Sequence, residues 1–138
     1  MPTLTNRLKL ACRLAQLKAK LLGTDENGYG KCCSCGLVKA WYELHGGHFQ
    51  PKGRHYNGAC LDERNVNVQC STCNTYMQGN PARYDKFMRE EYGEDIFEEL
   101  FLLSKQKTTK EQAEQFIIEC RAECKELAKD KNWKVRVP

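Results

Sequence analysis

Leu8, Ala11, Leu14, Ala15, Leu17, Leu21 and Leu22 recur at spacings of three and four among polar and basic residues, which predicts an amphipathic helix over residues 4–22. Gly23 follows as its stop, and Thr24 to Gly30 reads as a polar loop. From Lys31 to Asn80 the helical period is lost, and cysteines, glycines, histidines and aromatic residues crowd together. Two short runs there, Trp41 to Phe49 and Asn65 to Gln69, predict strands on either side of a loop containing Pro51, Gly53 and Gly58. Residues from about Ser71 to Gln78 look helical, which completes an order of strand, loop, strand, helix. Helical periodicity then returns: Asn80 before Pro81 predicts an N-cap and first turn, and Thr109 with Gln112 has the spacing of a capping box for a helix to about Lys129. The expected class is α+β. A core over 31–80 is flanked by an N-terminal helix and loop (1–30) and a C-terminal helical region (81–138), all within one compact domain.

At 138 residues the core is small enough for a metal staple to matter. Neither end carries the apolar run of a membrane span, and Arg7, Lys9, Arg13, Lys18 and Lys20 interrupt the apolar positions where an export signal would need a continuous core. A soluble, cytoplasmic protein with no membrane partner is expected, and its nine cysteines should be reduced. Net charge is +4 but uneven: residues 1–64 hold ten Lys/Arg against five Asp/Glu, so this half is the one suited to a polyanion. Arg7, Lys9 and Arg13 on the first helix are the expected contacts to a nucleic-acid backbone. Between Asp85 and Glu99 seven acids stand against two bases, a surface expected to face away from DNA or toward another protein.

Cys32 and Cys35 form one C-x2-C pair, and Cys70 and Cys73 another. Two residues between thiolates let one tight turn present both sulfurs to a tetrahedral zinc, and the second pair completes the shell. Four sulfur ligands leave no open position, so this zinc is expected to be structural. Cys33 is ambiguous, since it could replace Cys32 only through a C-x-C spacing. Cys120 and Cys124, one turn apart, read as buried thiols more readily than as half a metal site, while Cys12 and Cys60 are too isolated to interpret.

Between the cysteine pairs stand His45, Gly46, Gly47, His48 and Phe49, then Asp62, Glu63, Arg64, Asn65 and Val66, with Asn74 directly after Cys73. Together with Gln69, Gly79, Asn80, Tyr84, Tyr92 and Gly93, this run is similar to the phage lambda NinG (Rap) recombination endonucleases, HNH-like (ββα-metal) nucleases that act on branched DNA. The resemblance spans roughly residues 31–93, and the C-x2-C-N ending also resembles phage endonuclease VII, a four-way-junction resolvase.

The resemblance implies a divalent-metal-dependent DNA endonuclease leaving 5′-phosphate and 3′-hydroxyl ends, acting on Holliday junctions or D-loops in a phage-infected host. His48 matches the general base, Asn74 a ligand of a catalytic Mg²⁺ or Mn²⁺, and Asn65 the asparagine that braces the loop. The position before His48, an acid or histidine in many HNH enzymes, is Gly47, so the second cation ligand is open between His45 and Asp62. Arg54 and Arg64 are expected phosphate contacts, and His55 is expected to be exposed. Junction resolution takes two cuts, which makes a homodimer an expectation. Two rival readings follow from the same residues: a zinc-dependent DNA-binding recombination adaptor without catalysis, and an HNH nuclease of ordinary duplex.

Overall fold

The computed structural model describes residues 3–53 and 56–138, so Arg54 and His55 lie outside the described residues. Its first helix, α1 (Leu4–Leu22), starts where the Thr3 side chain accepts the Asn6 backbone N–H and ends where Gly23 donates to the Ala19 carbonyl. Leu8, Ala11, Leu14, Ala15 and Leu21 are buried as their spacing predicts, joined by Cys12 and Ala19, whereas Leu22 turns outward.

The chain then forms an antiparallel hairpin of β1 (Tyr29–Lys31) and β2 (Val38–Ala40), which sequence periodicity did not reveal. Three-residue strands carry too few alternations to register as a pattern. The segment expected as one strand from Trp41 to Phe49 is divided: Trp41–Glu43 is a 3₁₀ turn, and β3 covers only Leu44–His48. Trp41 leaves the sheet to stack on Trp133, with ring centroids 4.8 Å apart, and Lys20 covers both rings. β4 (Val66–Cys70) pairs antiparallel with β3, placing His48 opposite Val66 and Leu44 opposite Cys70. A short wide helical turn, Thr72–Tyr76, follows β4.

Three helices complete the fold: α2 (Pro81–Tyr92), α3 (Asp95–Ser104) and α4 (Lys110–Ala128). Thr109 and Gln112 form the expected capping box of α4, and Pro81 opens α2. Asn80 holds the N-cap position of α2 as expected, but its side chain makes no capping hydrogen bond. It sits at φ 46° and its side chain donates to the Cys73 sulfur, so the cysteine pair and not the helix has claimed it. α4 packs along α1 through Ile117, Cys120 and Cys124 against Ala11, Leu14 and Leu21, and this uses the apolar face of α4 within the chain. Cys120 and Cys124 are accordingly buried thiols, Cys124 donating to the Leu14 carbonyl.

α2 and α3 hold the opposite side through Tyr84, Met88, Ile96 and Leu100. The acidic stretch is partly neutralised at home: Arg89 pairs with Asp85 and Glu94, and Arg64 with Glu99. The whole is α+β, helices around small antiparallel sheets. No helix among the described residues is long and apolar enough to cross a membrane.

Candidate functional site

The Cys32, Cys35, Cys70 and Cys73 sulfurs lie within 4.8 Å of one another, a cluster that could hold a zinc ion. Cys35 and Cys70 sulfurs are 3.8 Å apart. Sulfurs about 2.3 Å from a shared tetrahedral ion are separated by about 3.8 Å, so the donor set fits. In each pair the first sulfur accepts the backbone N–H of the second cysteine at 3.5 Å, the local turn that C-x2-C spacing allows. Burial works against a Cys32 thiolate, but the backbone N–H groups of Cys70, Cys35 and Ser34 outweigh it and bring the thiol down to about 7. Cys73, by contrast, is pushed up to about 12, chiefly by burial. A buried sulfur cluster of this kind needs a cation to become four thiolates. Cys33 stands outside it: its N–H pairs with the Val68 carbonyl, and its side chain packs on the α2–α3 cluster.

β3 alternates, and its alternation divides the histidines. His48 shares a face with Gly46, which α1 crosses so closely that a Cβ on Gly46 would stand 2.5 Å from the Gln16 carbonyl oxygen. His45 and Gly47 face the other way, toward Asn74 and Gln69. His48 Nε2 lies 2.9 Å from the Cys60 carbonyl oxygen and 3.7 Å from the Cys12 sulfur. A carbonyl only accepts, so neutral His48 carries its proton on Nε2 and its lone pair on Nδ1. Cys60 donating to Cys12, with His48 alongside, lowers the Cys12 thiol pKa in spite of burial.

Asn65 is fully buried and spans the loop between the two strands. Its Nδ2 donates to the carbonyls of Gln50 (3.0 Å) and Ala59 (2.9 Å), and its Oδ1 accepts the Gln50 N–H (2.7 Å). It thereby ties the residues just after His48 to the turn whose Cys60 carbonyl holds the imidazole. Asn65→Ala leaves the half-buried N–H and carbonyl of Gln50 without their side-chain partner and takes one of two donors from the Ala59 carbonyl, and is expected to destabilise the fold by about 2 kcal/mol, measurable by urea unfolding.

Asn74 Nδ2 donates to His45 Nδ1 at 3.1 Å, and burial together with Lys20 lowers the His45 pKa, which favours the neutral, accepting imidazole. Asp62 is engaged elsewhere. It caps the Arg64 N–H and pairs with the Arg64 guanidinium through both oxygens, which ties up both side chains locally. The basic stripe of α1 is likewise divided: Arg7 turns toward Glu114 on α4, and Lys18 pairs with Glu123 and Glu63. Lys9 and Arg13 remain exposed, one turn apart. With Lys52, Tyr56 and Cys12 they line a cleft of about 450 Å³. A larger cleft of about 910 Å³, between α1, the first cysteine pair, β4 and α2, contains none of His45, His48 and Asn74.

Sequence reasoning missed Lys52 as a partner of Lys9 and Arg13, and it missed the Cys12 and Cys60 contacts to His48, because each depends on how α1 crosses the sheet. Tyr84 was visible only as part of a motif. Its hydroxyl donates to the Gly47 carbonyl at 2.6 Å and accepts the Asn67 N–H at 3.0 Å, locking α2 onto both strands.

These features define an α+β protein whose small sheets and helical turn converge on a four-cysteine cluster suited to zinc. A model of the family described as Bacteriophage Lambda NinG protein matches residues 8–131, and the chain belongs to that family. No curated protein and no solved structure matches it.

Proposed function

We propose that this chain is a metal-dependent DNA endonuclease of the HNH (ββα-metal) kind, acting on branched recombination intermediates in a phage pathway. The observation that carries the reading is the setting of His48. The imidazole is fixed through Nε2 by the Cys60 carbonyl, which leaves Nδ1 as the free basic atom. Cys12, which touches that same nitrogen, lines the cationic cleft of Lys9, Arg13 and Lys52. A DNA backbone drawn into this cleft would pass beside the imidazole.

In this reading His48 Nδ1 takes a proton from the attacking water, as a neutral imidazole near neutral pH can. Asn74 Oδ1 belongs to the ligand set of a Mg²⁺ or Mn²⁺ ion, with His45 holding the Asn74 amide in orientation. A divalent cation bound there supplies stabilisation of charge on the scissile phosphate and the leaving 3′ oxygen. His48 and Asn74 lie against opposite faces of the β3–β4 sheet, so the phosphate would have to straddle the edge of β3. Lys9, Arg13 and Lys52 bind and orient the backbone without reading sequence, which suits recognition by shape. Two paired cuts in one junction would take two copies of the chain.

The test is cleavage of end-labelled four-way junctions against linear duplex in Mg²⁺ and in Mn²⁺. Metal-dependent cutting of the junction in preference to the duplex is expected, while equal cutting would make the chain an ordinary duplex nuclease. The separation of His48 and Asn74 onto two faces favours one rival, a zinc-dependent DNA-binding adaptor. That rival predicts salt-sensitive junction binding with no cleavage in any metal.

A further inference from the structure

We propose that the side-chain oxygen of Gln69 is a ligand of the divalent cation, filling the place that a side chain at residue 47 would occupy. The inference rests on the nuclease reading for the purpose of the cation, but its geometry stands on this chain's own residues. Gln69 is a polar residue in the middle of β4, between Val68 and Cys70, and it is completely buried. Its Nε2 donates to the Ser34 hydroxyl and to the Gly79 carbonyl, both at 2.8 Å, so the carboxamide is fixed in orientation. Its Oε1 is buried and has no hydrogen-bond partner among the described residues. A buried carbonyl oxygen with two free lone pairs calls for a donor or a cation.

The direction of that oxygen is informative. Oε1 stands 1.9 Å from the point where a Cβ on Gly47 would lie, and Asn74 Oδ1 stands 3.1 Å from the same point. The Asn74 amide nitrogen is turned to His45, which directs its oxygen away from the imidazole. Two amide oxygens therefore converge beside a residue that has no side chain. Hard oxygen donors of this type suit Mg²⁺ or Mn²⁺, which complete their shells with water and phosphate. Glycine at 47 is then a requirement, since any Cβ there would displace Gln69 Oε1.

The experiment is a Mn²⁺ titration of the zinc-loaded full chain, followed by the loss of the electron paramagnetic resonance signal of free Mn²⁺, with zinc content measured in parallel. Gln69→Ala should weaken Mn²⁺ binding at least tenfold at unchanged zinc content. Gly47→Asp introduced into Gln69→Ala should recover binding, because an oxygen is returned to the same point. Gln69→Ala binding Mn²⁺ within twofold of the parent chain would overturn the inference. If Gln69→Ala fails to fold, a folded Gly47→Ala, whose Cβ would displace Gln69 Oε1, that binds Mn²⁺ within twofold of the parent chain overturns it instead. Gln69-dependent Mn²⁺ binding without junction cleavage would leave this site standing and remove the nuclease reading. Cleavage whose Mn²⁺ dependence is unchanged in Gln69→Ala would do the reverse.

Discussion

His48→Ala is expected to lower the single-turnover rate of junction cleavage by about 10²–10⁴-fold, the range for loss of a positioned general base, at unchanged zinc content and junction affinity. The size of the effect follows from how the imidazole is held. Nε2 is anchored to the Cys60 carbonyl and Nδ1 carries the lone pair, so removal of the ring removes the positioned basic atom. Lys9, Arg13 and Lys52 line a cleft that does not include His48 and would hold a DNA backbone without it, which is why affinity should survive. Partial rescue by added imidazole would separate lost base catalysis from lost structure. Cleavage by His48→Ala at the parent rate would remove the assigned mechanism.

Removal of zinc by a chelator is expected to abolish the cooperative thermal unfolding transition altogether. Structural zinc contributes an apparent ~10–16 kcal/mol in zinc-finger peptides, whereas whole domains are stable by only about 5–15 kcal/mol. The cysteine cluster joins the β1–β2 hairpin to the end of β4, and Leu44 and Val68 pack on it. Loss of the ion would therefore release both sheets and leave the four sulfurs with no shared ion to hold them together. Cys73→Ala should reproduce the loss. Cys33→Ala, one residue from a ligand, should retain zinc and melt close to the parent chain, because Cys33 packs on the α2–α3 cluster and not on the metal. Equal loss of zinc in both variants would contradict the assigned ligand set.

What the sequence revealed and what it hid have distinct physical causes. α1, α4 and the cysteine cluster were legible because helical period, capping chemistry and C-x2-C spacing are local properties of the chain. The β1–β2 hairpin was not legible, because strands of three residues carry almost no alternation. Asn80 shows a local rule met in part: it takes the N-cap position of α2, but its amide is oriented to donate to the Cys73 sulfur and its oxygen caps no N–H. The same holds for charge. Arg64 and Arg7 read as contacts for phosphate, yet the fold brings Asp62 and Glu114 to them, and of the expected helix contacts Lys9 and Arg13 join Lys52 at a cleft.

At the candidate site the sequence placed His48 on a strand and Asn74 on a helical turn but not on faces, and it put Asn65 at the head of a strand where the structure has a 3₁₀ turn, with β4 starting at Val66. Alternation along β3 assigns His48 to α1 and His45 to Asn74, a division that becomes meaningful only once α1 is known to cover one side. Gln69 had a usable signal, a glutamine among Val66, Val68 and Cys70. Its unpaired oxygen, and the reason residue 47 is glycine, required the packed structure.

Anomalous diffraction from crystals of the zinc-loaded chain soaked in Mn²⁺, recorded at the zinc and manganese edges, tests the central claim that a structural zinc and a separate catalytic cation flank β3 and β4. The account predicts zinc at Cys32, Cys35, Cys70 and Cys73, with manganese beside Asn74 and Gln69. Zinc alone, with no manganese on the Asn74 face when cleavage requires Mn²⁺, would contradict it.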